Sequence, residues 1–274
     1  MVPAVNSRNE KIVDLFRAEA LLRDIPAADV ERWLELTRPC ALLTQNGAGP
    51  VVGAVRGPVL LPDDVPDPGL PLIVTVDCAA LPAGVTDLPL PPDGQLLLFG
   101  WPEEDGWGEV RYVPAGVPTR ERPRYPENFP PEEPEYAEVY AELPPSDLRL
   151  TADVSLPYMG PVPGHHHAEE LTSVWRKVLG SEADGIFAHH GSRTPMLLGG
   201  FGTEDNGADP VQAVLRFVEE MEGVEDEENT ADWLLLGEFH GGRQGGATIF
   251  WMIRRADLAT HRFENARVLV DWNP

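Results

Sequence analysis

Residues 232–272 read DWLLLGEFHGGRQGGATIFWMIRRADLATHRFENARVLVDW, and the punctuation of that stretch decides how the chain folds. An apolar run at 233–239 meets a turn dense in glycine (Gly241, Gly242, Gly245, Gly246). A second apolar run at 248–253 follows, then a polar step at 256–258 and a third run at 268–272. Short apolar, β-branched runs bounded by glycine are strand signals. The middle run is too short and too aromatic for a surface helix. Phe250 and Trp251 occupy successive strand positions and so face opposite sides, one into the core and the other beneath a helix or at an interaction surface. Leu234, Leu236, Ile249, Trp251 and Ile253 are the expected core. A fainter copy of the layout occupies residues 72–113, with runs at 72–78, 95–100 and 107–113. The duplication predicts an α+β fold: two related antiparallel β-sheet units in one compact body, with helices covering sheet faces.

The rest of the chain supplies the covers. Residues 7–23 read as a helix, with Ser7 and Glu10 at capping-box spacing and Ile12, Leu15, Phe16 and Leu22 as an apolar stripe. A second helix at 27–37 turns Val30, Trp33, Leu34 and Leu36 inward and stops at Pro39. Residues 1–39 are thus a helical pair ahead of a sheet-bearing body at 40–274. Strands are expected at 40–44, 51–61 and 148–156. Residues 114–146 lose all periodicity to proline and glutamate; Tyr125, Phe129, Tyr136 and Tyr140 suit a segment that packs in part. This excursion separates a first sheet unit, 40–113, from a second, 147–274. Helices at 168–179 (Leu171, Val174, Trp175 and Val178 inward) and 211–221 (Val214, Leu215 and Val218 inward) complete the cover. Asp209 and Pro210 stand at the cap and first turn of the latter.

Charge narrows the function classes. Twenty-one basic residues against 45 acidic ones leave a formal charge of −24. Such a field repels nucleic acid and anionic membrane, and it attracts a basic partner. No apolar run approaches the ~20 residues that span a bilayer, and residues 1–10 lack the basic-then-apolar pattern of a secretory signal. Cys40 and Cys78 form no CxxC pair and lie in apolar surroundings. A reduced, cytoplasmic chain with two inert thiols is expected.

Four segments, taken together, resemble the YwqG-like family of bacterial proteins. They are GAVRGPVLLP at 53–62; LPLIVTVDCAAL at 70–81 with LPPDGQLLLFGW around Gly94; LLGGF at 197–201; and LLLGEF, GGATIFWMIRRADL and a following phenylalanine in the C-terminal stretch. The resemblance spans most of residues 50–272. It implies the same α+β body with paired sheet units and brings no assigned activity with it. Thr75–Val76 before Asp77, and Gly237–Glu238, depart from the glutamines the family pattern carries there.

Chemistry-bearing constellations are sparse. Six of the seven histidines, His165–His167, His189–His190 and His240, give the sharpest candidate site. A zinc site needs three or four converging ligands at ~2.0–2.2 Å, and consecutive histidines in an extended loop diverge. With no HExxH pair, no metal or other cofactor is expected, and His189, His190 and His240 are the residual metal candidates. The glycine loop GGRQGG lacks the lysine, hydroxyl and following helix of a phosphate cradle, which leaves Arg243 as a contact at a hairpin tip. No GxSxG elbow occurs. Trp101 and Trp107 flank the acidic loop 103–105 and are candidate binding residues.

Two functions from different classes follow. The first is a non-catalytic intracellular protein, immunity- or antitoxin-like, presenting an acidic surface with exposed aromatics to a basic protein. The alternative is a hydrolase or small-ligand enzyme, metal-dependent or not, with a cleft between the sheet units and Asp77, Glu238, His189 and His190 as catalytic candidates. In either case, the seam where the two units meet, with Asp77 and Glu238 on it, is the place to look.

Overall fold

Strand pairing runs through ten strands without interruption. A computed structural model describes residues 5–101, 108–123, 140, 143–158, 162, 164–181, 196–202, 209–222, 232–240 and 248–271. The strands are β1 (Arg38–Thr44), β2 (Val51–Val55), β3 (Val59–Leu61), β4 (Leu72–Asp77), β5 (Gln95–Gly100), β6 (Gly108–Val113), β7 (Arg120–Arg122), β8 (Ser146–Ser155), β9 (Met196–Leu198), β10 (Trp233–His240), β11 (Thr248–Arg254) and β12 (Arg267–Asp271). All but β3 and β7 join one sheet in the order β12-β11-β10-β9-β1-β8-β2-β4-β5-β6, and β3 and β7 pair separately. Every ladder is antiparallel.

The sheet curls until its two ends, β6 and β12, lie side by side as a nearly closed barrel. At that seam a Cβ on Gly108 would collide with the side chain of Val268, so only glycine admits this approach. Trp251 on β11 donates its indole Nε1–H to the Phe99 carbonyl on β5 at 2.9 Å, binding the two ends across the interior.

The mixed α+β content is as expected, but the two sheet units are not. β8, which follows the proline-rich segment, inserts between β1 and β2 of the first half, and β1 also pairs β9 of the second. Interleaving of this kind fuses both halves into one wall. The repeated layout survives as two three-stranded meanders, β4–β5–β6 and β10–β11–β12, at opposite ends of the sheet order.

Alternation sorts each strand into a lumen face and an outer face. All ten strands contribute to one apolar cluster filling the lumen, including Leu43, Val52, Val76, Leu98, Val110, Leu148, Leu198, Leu236, Trp251 and Val268. The expected core residues Leu234, Leu236, Ile249, Trp251 and Ile253 all belong to it. Phe250 faces outward with Leu42, Leu197 and Met252, beneath Val214 and Val218 of α4 (the helix Pro210–Glu222).

Three helices cover another part of the wall: α1 (Val5–Leu22), α2 (Ala27–Leu34) and α3 (Ala168–Ser181). Ile12, Phe16 and Ala20, at i, i+4 and i+8, pack with Val30, Trp33, Leu171, Val174, Trp175 and Val178. Leu15 and Leu22, expected in the stripe, face water instead. α1 begins at Val5, so Ser7 lies inside the helix and is not its cap. The polar step after β11 is α5 (Arg255–Ala259), whose buried Asp257 accepts from Arg262 (2.8 Å) and Asn265 (2.9 Å). Within the proline-rich segment, Tyr140 is buried, donates to the Leu72 carbonyl at 2.8 Å and lies under the Arg56 guanidinium. That part of the excursion is packed; Tyr125, Phe129 and Tyr136 lie outside the described residues.

Candidate functional site

Asp77 and Glu238 sit on different strands of the same wall. Four strands separate β4 from β10 in either direction around the barrel: β9, β1, β8 and β2 on one side and β5, β6, β12 and β11 on the other. The seam expected to hold both therefore does not exist, and neither does a cleft between two sheet units.

Glu238 is sealed. It sits within the apolar run of β10 with no solvent exposure, on the outer face under Gly202 and Pro210 at the start of α4. His240, two residues on and hence on the same face, places Nε2 at 2.7 Å from Glu238 Oε1. Its Nδ1 lies 3.2 Å from the Thr248 hydroxyl on the neighbouring strand. A carboxylate at Nε2 requires the proton there, so in the neutral ring Nδ1 accepts from Thr248. The chain Glu238–His240–Thr248 has the connectivity of a proton relay, yet its acid is enclosed and Thr248 is buried. Its evident work is to satisfy a carboxylate that the apolar wall would otherwise leave stranded.

A polar knot beside it fixes the segment after β9. Gly200 N–H donates to Asp87 Oδ1 (2.9 Å) and Phe201 N–H to the Ser155 hydroxyl (2.8 Å), while Arg38 stacks over the Phe201 ring at 4.0 Å. Gly200 has φ +76°, and a Cβ there would strike Ser155, so the tight turn needs glycine. Cys40 lies under the knot. Burial first, and then the charges of Asp153, Asp87 and Glu238, push its thiol well above the ordinary range. Burial, with Asp77 and Asp93 adding to it, pushes Cys78 up to about 12. Both thiols are buried and protonated at neutral pH, as the sequence suggested.

Asp77 is different. It ends β4 and caps the 3-10 turn Cys78–Ala80, accepting the Ala79 amide at 3.0 Å. It lines an open cavity of about 280 Å3 together with Gln95, Thr119, Leu60, Val113 and Val117. The cavity forms because the paired strands β3 and β7, from distant parts of the chain, lie over the outer face of β4–β5–β6. Leu61 and Val59 pack there on Leu72, Leu97, Phe99 and Val113. Arg122 on β7 locks this pair to the loop that follows β3, pairing with Asp67 at 2.8 Å and donating to the Pro62 and Val65 carbonyls.

The other candidates divide plainly. Trp101 is only 7% exposed, so its ring packs into the protein and does not present a free face. Trp107, His189, His190 and Arg243 lie outside the described residues. Among the described residues, no group of three or more His, Cys, Asp or Glu could hold a metal ion, and no helix is long and apolar enough to cross a membrane. Gln95, Thr119 and Val117 were not singled out by sequence, because nothing local marks residues that a long-range strand pairing brings together. The Glu238–His240 pair did leave a signal: an acid and a histidine two apart in a strand share a face.

No protein-family model matches the chain, and no curated protein matches it either. The YwqG-like resemblance therefore rests on the quoted motifs.

Proposed function

We propose that the protein is a non-catalytic binding protein whose acidic surface engages a basic protein partner, with an immunity- or antitoxin-like role as its form. The observation that supports this is how charge is distributed. Cationic side chains are largely committed within the molecule. Arg17 pairs with Glu31 (2.7 Å), Lys177 with Glu19 (2.7 Å), Arg122 with Asp67 (2.8 Å) and Arg262 with Asp257 (2.8 Å). Arg56, Arg149 and Arg176 donate to backbone carbonyls. The surplus carboxylates, Asp24, Asp64, Asp93, Glu121, Asp147, Glu220 and Glu264 among them, stay exposed. An acidic exterior of this kind raises the encounter rate with a cationic surface and suppresses binding to anionic ones.

The test is affinity capture from the source cells at low salt, followed by purification of the captured protein and measurement of association kinetics. The reading expects a basic protein binding with defined stoichiometry, its on-rate falling steeply as salt rises from about 0.05 to about 0.5 M. Capture of nothing, or an on-rate indifferent to salt, sinks it.

A further inference from the structure

We propose that the cavity beside Asp77 is the anchor pocket for one lysine or arginine side chain of that basic partner. The inference rests on the acidic-surface reading and adds where the partner is held. Protein interfaces concentrate their energy in a few side chains seated in pockets, arginine prominent among them.

Size, shape and charge favour this occupant. At about 280 Å3 the cavity falls at the lower bound of small-molecule sites, which start at roughly 300 Å3, so it suits a single long side chain. Leu60, Val113 and Val117 offer an apolar channel for the methylene stem, and Val117 is 39% exposed at the lip. Asp77 supplies a carboxylate to the cationic head, and Gln95 and Thr119 supply oxygens to its remaining donors. Asp93, next to the lining residue Gly94, and Glu121, opposite Leu60 on β7, are exposed and add negative charge nearby.

The neighbouring cations among the described residues point elsewhere. Arg111 reaches Glu109 at 2.8 Å and the Pro66 carbonyl at 2.8 Å, Arg120 reaches Asp63 at 3.0 Å, and Arg122 is locked on Asp67. Asp77 makes no ion pair with any described residue, whereas Glu238 has His240. A metal ion is the weaker fit, since one carboxylate among neutral oxygens falls short of the six to eight oxygen ligands that calcium takes.

The experiment uses a fluorescent six-arginine peptide and its six-citrulline counterpart, equal in length and without charge, at about 50 mM salt. Wild type is compared with Asp77→Asn, Val117→Arg and a control of equal charge change, Glu220→Gln on exposed α4. The Asp77→Asn change keeps a side-chain oxygen for the Ala79 amide, and Val117 is exposed, so both variants are expected to melt with wild type. The pocket predicts about tenfold weaker arginine-peptide binding for Asp77→Asn and at least as much for Val117→Arg, against less than about twofold for Glu220→Gln. Should Asp77→Asn fail to fold, Val117→Arg decides alone. Equal losses in all three variants overturn the pocket while leaving the acidic surface standing. No preference for arginine over citrulline in wild type overturns the acidic-surface reading itself. Free arginine binding as tightly as the peptide marks a small-molecule site and overturns the docking assignment.

Discussion

The meanders β4–β5–β6 and β10–β11–β12 have the same three-stranded layout, and each carries one acid that its apolar run makes conspicuous. In β10 the acid is mid-strand, covered by the start of α4, and held by His240 at 2.7 Å. In β4 it is the last strand residue, beside the β3–β7 pair, which covers the strand's apolar part and leaves Asp77 at an open cavity. One cover is a helix, which seals the wall with Val214 and Val218; the other is the short β3–β7 strand pair, which does not reach as far. An acid in an apolar strand therefore has two fates. Its position along the strand and the element laid over it decide between a buried pair and an available charge.

The largest expected effect comes from cutting the contact between the two meanders. Trp251 fills the lumen and is the donor that reaches from β11 to the Phe99 carbonyl on β5. Trp251→Ala is expected to cost about 3–5 kcal/mol, measured by chemical denaturation, through lost burial and the cavity left behind. Trp251→Phe should keep much of the packing and lose the hydrogen bond, for about 1–2 kcal/mol. If both cost under about 1 kcal/mol, the lumen is not one continuous core.

The two acids themselves come next. Glu238→Ala removes an enclosed partner of His240 and is expected to cost about 3 kcal/mol. Asp77→Ala loses one cap hydrogen bond at a half-exposed site, for about 1 kcal/mol. Equal costs would erase the distinction between the sealed and the open carboxylate. At the seam, Gly108→Ala forces a Cβ against Val268 and should cost about 1–3 kcal/mol, whereas the same change at open Gly69 should cost under about 1 kcal/mol.

Local chemistry explains which parts of this were legible in advance. Strand runs around Leu234, Ile249 and Val268 announced themselves, because a buried strand must be apolar wherever it sits. The start of α4 was legible from Asp209 and Pro210, and the Val211 amide does donate to Asp209 Oδ1 at 2.7 Å. Closure of the sheet was not legible, because the insertion of β8 between β1 and β2 is a pairing between residues about a hundred apart, and no local pattern encodes it. β3 falls at the end of the single strand expected at 51–61, which instead breaks after Val55 at Arg56 (φ +51°), and β7 is three residues, below the length at which alternation can be told from chance. The candidate pocket depends on the pairing of those two strands, so it was hidden with that pairing. Asp77 could be singled out as an acid, but its partners Gln95, Thr119 and Val117 could not.

The two capping aspartates sharpen the comparison at the smallest scale. Asp77 caps a single 3-10 turn beside the open cavity, and Asp209 caps α4 against the covered meander. Burial pushes the Asp209 carboxyl above its ordinary 3.8, outweighing the Val211 and Gln212 amides and the Arg38 charge that pull it down. A carboxyl whose native pKa exceeds its unfolded one binds more protons when folded. Its contribution to stability therefore falls as pH rises from 3.8 through the native value, and stays at the lower level above it. Asp209→Asn keeps the side-chain oxygen for the cap and removes the ionisation. Relative to wild type, the variant should gain stability across that window and hold the gain at neutral pH. Denaturation curves at a series of pH values read this directly. A variant that instead loses stability with rising pH means the charged cap on the helix dipole outweighs burial at Asp209, and that the cover over the second meander is wetter than its packing indicates.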